Sequence, residues 1–110
     1  MIKETLSKIE SAITKIEAAE GKEKEELVTL LRKLKDELAT LPESNLDDAR
    51  SIAHFTETAA HEATRANTSI ERKNLSISGI AYSVKGFEVS HPELVEVTNE
   101  ICMMLARMGI

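Results

Sequence analysis

The segment HFTETAAHE sets His54, Glu57 and His61 at steps of three and four, so that on a helix the three share one side, opposite a run of alanines. Imidazole and carboxylate together are metal-ligand chemistry. One ion cannot take all three from a single helix. Seven residues at ~1.5 Å each put the two histidines roughly 10 Å apart along the axis, against Zn–N bonds of ~2 Å. His54 with Glu57, or Glu57 with His61, can supply half of a site whose other ligands come from a second subunit. The plainer reading is a solvated polar face with i,i+4 support.

His91 stands between Glu88 and Glu93 in GFEVSHPELVEV, residues 86–97, where an imidazole beside a carboxylate could shuttle a proton. The same residues read as a helix start, with Ser90 as N-cap, His91 and Pro92 in the first turn and Glu93 at the third position. That places His91 on an exposed turn and not in a pocket. Cys102 lies on the apolar arc of the last helix and is expected to act as a small unreactive hydrophobe. Met103, Met104 and Met108 at helical spacing read as core fillers. The chain has no Gly-rich phosphate loop, no C-x-x-C and no nucleophile elbow. A protein without catalytic residues or cofactor is the expectation.

One hundred and ten residues suit a single domain spanning 1–110. The formal net charge of −5 divides into 8 Lys/Arg against 9 Asp/Glu over residues 1–41 and 6 against 10 over 42–110. Neither half carries a basic stripe, and aromatics make up only 3 %, which disfavours nucleic-acid binding. The apolar runs are far shorter than the roughly 20 residues of a membrane span. No export signal precedes the first helix, and one cysteine cannot form an intrachain disulfide, so a cytoplasmic location is expected.

The elements follow from apolar spacing. Ile2, Leu6, Ile9, Ile13 and Ile16, then Leu27, Leu31, Leu34, Leu38 and Leu41, each run in steps of 4, 3, 4, 3, the two-in-seven seam of a coiled coil. Gly21 separates the two helices and Pro42 stops the second, predicting an antiparallel hairpin over 1–41 and a linker at 42–46. Three helices are predicted in 47–110. The third, to about residue 66, presents Ala49, Ile52, Ala53, Phe55, Ala59, Ala60, Ala63 and Ala66 on one face. The fourth starts at a Thr68 or Ser69 cap, with Glu71 completing a capping box after Thr68, and ends at Gly86. Its main apolar face is Ile70, Ile77, Ile80, Ala81 and Val84. Leu75 and Tyr82 lie on the other side around Gly79, so this helix has a second face to cover. In the connection that follows, Phe87 and Val89 are expected as apolar anchors. The fifth carries Leu94, Val97, Ile101, Leu105 and Met108, and its broad arc predicts the central helix. Gly109 and Ile110 read as a Schellman ending.

GFEVSHPELVEV and the terminal ICMMLARMGI resemble the tail of a bacterial family known as domain of unknown function 4404, whose members commonly end in F-E-x-S-H-P-x-L and M-G-I-like runs. SIAHFTETAAHEATR, residues 51–65, is similar to the middle of one branch of that family; Arg107 stands where an Asn or Asp is expected. The resemblance implies a helical fold and a prokaryotic origin, and brings no activity, cofactor or catalytic residue. Two functions of different class follow. One is a non-catalytic protein–protein interaction or self-association module, a homodimer or larger, with Leu75, Gly79 and Tyr82 as interface candidates. The other is a small metal protein or enzyme with a site at a subunit interface formed from His54, Glu57 and His61.

Overall fold

A computed structural model describes residues 2–19, 21 and 23–108. Five helices occupy them: α1 (Ile2–Ala18), α2 (Lys24–Ala39), α3 (Leu46–Thr64), α4 (Ile70–Val84) and α5 (Pro92–Arg107), with single 3-10 turns at Glu43–Asn45 and Lys85–Phe87. There is no strand among the described residues. Gly21 breaks the first hairpin at φ +147°, a backbone region that side-chain-bearing residues rarely enter.

The helices close a ring in the order α1, α2, α5, α4, α3, each packing on its two neighbours, with α3 also touching α5. The N-terminal hairpin is therefore built into the fold. Its apolar stripes are wider than a two-in-seven seam: α1 buries Thr5, Ile9, Ala12, Ile13 and Ile16, while α2 buries Val28 and Leu30 beside Leu27, Leu31, Leu34 and Leu38. Each helix has two partners to cover, which takes a broader stripe than one coiled-coil mate requires. Lys35 reaches Glu10 across the hairpin at 2.7 Å, and Arg107 reaches Glu23 from the end of α5 at 3.2 Å.

The fifth helix is not the hub. The most extensive packing belongs to α3, against α1 and α4. Its buried face is Ala49, Ile52, Ala53, Thr56, Ala59, Ala60 and Ala63, and methyl-sized side chains let two helix axes approach it closely. Buried threonines fit the same faces because their hydroxyls turn back on their own helix, Thr56 to the Ile52 carbonyl at 2.7 Å and Thr98 to that of Leu94 at 3.0 Å. The third helix stops at Thr64, which leaves Ala66 exposed outside it.

Two helix starts differ from their predicted capping. At α5 the N-cap is His91, not Ser90, and Pro92 is the first helical residue. A residue before proline is pushed out of the helical region, and His91 sits at φ −140°, ψ 66°. Proline suits the first helical position, where the missing N–H has no intrahelical partner to lose. At α4 the cap is Ser69, whose Oγ accepts from the Arg72 N–H at 3.2 Å. Thr68 instead donates to the Arg65 carbonyl, so Glu71 falls at the second position and no capping box forms. Of the connection's two apolar residues, Phe87 is buried and Val89 is exposed. Gly109 and Ile110 lie outside the described residues.

Candidate functional site

The histidine face on α3 stays dispersed. His54 and His61 are both exposed. His54 lies edge-on to Phe55, with ring centroids 5.6 Å apart. Glu57, half-buried between them, has its carboxylate 3.8 Å from the Lys8 ammonium of α1. Among the described residues no three His, Cys, Asp or Glu side chains come together as a set able to hold one metal ion. His91 packs edge-on against Phe87 at 5.4 Å, and its Nδ1 pairs with Ser90 Oγ at 3.0 Å. This imidazole fastens the turn before α5. Cys102 is half-buried with Sγ 3.8 Å from the Ile77 carbonyl, and burial pushes the thiol up from 9.0 to about 11. At neutral pH it is a thiol, not a thiolate. Met104 is buried in the core, whereas Met103 is exposed.

The fourth helix departs furthest from its predicted faces. Lys73, Ser76, Ile80 and Val84 are buried, while Ile70 and Ala81 of the predicted apolar face are exposed. Lys73 has no accessible surface at all. Its ammonium donates to the backbone carbonyls of Ala106, at 3.1 Å, and Met108. Those carbonyls end α5 and lack intrahelical donors, so a cation there meets both their hydrogen-bonding need and the negative end of the helix dipole. Burial lowers the Lys73 pKa below the ordinary lysine value. Nothing in the spacing of apolar residues signals this contact, because the lysine side chain crosses from one helix to the end of another 33 residues later.

On its outer side α4 presents Leu75, 74 % exposed, and Tyr82, 79 % exposed. Gly79, between them in sequence, faces α3: a Cβ built on it would lie 2.5 Å from the Phe55 ring. The close approach that this glycine allows is thus made within the chain. Phe55 covers Gly79 and forms one wall of an open groove of ≈ 780 Å³ between the first half of α3 and the end of α4. Tyr82 and Phe87 also line it, together with Asp48, Ser51 and Lys85. The chain has two Phe, one Tyr and no Trp, so every aromatic ring apart from histidine borders this one groove. Residues 55, 82 and 87 are brought together only by the packing of α3 on α4, and sequence spacing alone does not show it.

No helix among the described residues is long and apolar enough to cross a membrane. No curated protein and no solved structure matches the chain. The family model for DUF4404, a domain of unknown function, matches residues 2–110. The resemblance at residues 51–65 and 86–110 thus extends through the N-terminal hairpin, and the chain belongs to the DUF4404 family.

Proposed function

We propose that this protein is a non-catalytic interaction module that binds another polypeptide through the outer face of α4 and the adjoining α3–α4 groove. The observation that carries the reading is the pairing of Leu75 and Tyr82, both about three-quarters exposed on one helical line, with a groove walled by every Phe and Tyr of the chain. Large apolar side chains standing in water, Tyr82 on the wall of an aromatic-lined groove and Leu75 two turns before it, are what a docking face presents: protruding anchors beside a place to receive the partner's. The polar groups around it, Asp48, Ser51, Ser83 and Lys85, form the kind of rim that sets orientation.

A photoreactive benzophenone amino acid in place of Tyr82, used in cells that carry the protein natively, tests the reading. One defined protein adduct is expected from position 82. It should be absent when the same group replaces the exposed Thr14 on α1, and lost when Leu75→Glu is added. Irradiation that yields no adduct from position 82, or the same adducts from 14 and 82, would show that this face is not a docking surface.

A further inference from the structure

We infer that the last turn of α5 is a strap, fastened to the start of α4 by the buried Lys73 ammonium, and that this fastening comes undone while the rest of the bundle stays folded. The inference concerns the buried side of α4 and is independent of the interaction reading above.

Helices α4 and α5 run antiparallel along their seam. Lys73 meets Ala106, and four residues further along α4, Ile77 meets Cys102, four residues back along α5. The two contacts are successive rungs, one helical turn apart. Beyond Cys102 few groups hold α5 in place. Lys73, with no accessible surface, donates to the carbonyls of both Ala106 and Met108. Among the described residues, the other hydrogen bond from this turn to a different element joins Arg107 to Glu23, two side chains more than half exposed, and such pairs hold little. Met104 and Leu105 add buried apolar surface, but on the α2 side the turn borders an open groove of ≈ 320 Å³ lined by Leu27, Met104 and Met108 among others. One strong fastener and open space on the flank make this a segment whose release costs less than unfolding the chain. The fastener is a single catch, because one cation serves both carbonyls and loses both together.

Cys102, the one cysteine of the chain, stands at the inner edge of the strap and gauges its position. With the strap shut, Sγ lies half-buried against the Ile77 carbonyl and burial keeps the thiol protonated. An alkylating reagent is attacked by the thiolate and not by the thiol. With the strap undone, the sulfur meets water and regains its ordinary acidity, and the Met104 and Leu105 side chains are bared beside it. Solvent access to the seam therefore depends on one lysine.

Alkylation of the purified full-length chain by iodoacetamide at a fixed, mildly alkaline pH, followed by mass, tests this. The wild-type rate should stay level through the first additions of urea, because a small opening exposes little new surface, and climb only as the whole chain unfolds. Lys73→Met should raise the level rate about tenfold or more through loss of both charge-assisted bonds, with the helical circular dichroism unchanged. Arg107→Ala, which removes only the exposed pair, should change it by no more than about twofold. Lys73→Gln can still serve one carbonyl, so its rate should fall between those of the wild type and Lys73→Met, and it carries the test if Lys73→Met does not fold. Three results would each overturn the inference: a wild-type rate that climbs with urea from the first addition in step with global unfolding, Lys73 variants no faster than the wild type, or Arg107→Ala as fast as they are.

Discussion

Helices α2 and α4 are of nearly equal length, 16 and 15 residues, and treat their side chains in opposite ways. In α2 every leucine and the one valine are buried, and no polar residue is. In α4 a lysine and a serine are buried while Ile70, Leu75 and Tyr82 are exposed. The difference lies in what each helix packs against. The inner side of α2 packs on α1 and α5, whose buried faces are apolar apart from Thr5 and Thr98. The inner side of α4 meets the carbonyl end of α5 and an aromatic ring of α3, and those neighbours call for a cation and a glycine.

The sharpest test of that contrast is a pair of leucines. Leu34, with no exposed surface, should cost about 3 kcal/mol on truncation to Ala, through lost burial and the cavity left behind. Leu75→Ala should change folding stability by no more than ~0.5 kcal/mol, measured by denaturant unfolding at a concentration where the chain is monomeric. Equal losses at the two positions would erase the comparison. Gly79→Ala comes next. Its Cβ would fall 2.5 Å from Cδ1 of the Phe55 ring, an overpacking of roughly 1–3 kcal/mol, from which the better helix propensity of Ala returns roughly 1 kcal/mol. A net loss of about 1 kcal/mol is expected, and Phe55→Leu in the same chain should relieve much of it. If Gly79→Ala were stabilising, the ring would not be packed on that glycine.

Two serines separate α4 from α5 at their N-termini. Ser69→Ala removes the hydroxyl that accepts the Arg72 N–H and should cost about 1 kcal/mol. Ser90→Ala should cost no more than ~0.5 kcal/mol, since its hydroxyl meets only the His91 ring. Thermal melts of the two variants side by side decide this, and a reversed order would restore Ser90 as the cap. The last test concerns Cys102 on the α4–α5 seam. With its pKa raised from 9.0 to about 11 in the fold, the native chain keeps a proton that the unfolded chain has given up. Its contribution is therefore complete below pH 9 and is lost as pH climbs through 11. Relative to Cys102→Ala, the wild type should lose melting temperature between about pH 8.5 and 10.5 and show no such relative loss between about pH 7 and 8.5.

The five helices were legible because burial and apolarity coincide in most of the chain. Ile9, Ile13, Ile16, Leu27, Leu31, Leu34 and Leu38 mark their faces at the periods that helices impose, and the alanine face of α3 is likewise the buried one. Ring order was not legible, since a broad apolar arc on α5 states how much surface is covered and not by which neighbours. Half of the candidate face could be read. Leu75 and Tyr82 stood out as apolar residues on the wrong side of an amphipathic helix, whereas the groove depends on Phe55 and Phe87, whose meeting is a tertiary event. Capping failed by one residue at His91 because proline's effect on its predecessor outweighs the preference for a hydroxyl-bearing cap.

Lys73 has a consequence for how the molecule opens. The end of a helix is ordinarily the first part of a fold to come apart, in small independent fluctuations. Here the last turn of α5 cannot lift away without leaving an ammonium group inside the protein with neither carbonyl nor water to receive it, so fraying there draws in α4 as well. The last turn of α5 and the start of α4 around Lys73 should therefore exchange their amide hydrogens as one cooperative unit. The helix that carries the outward-facing leucine and tyrosine is thereby fastened from behind, at its first turn, to the end of α5.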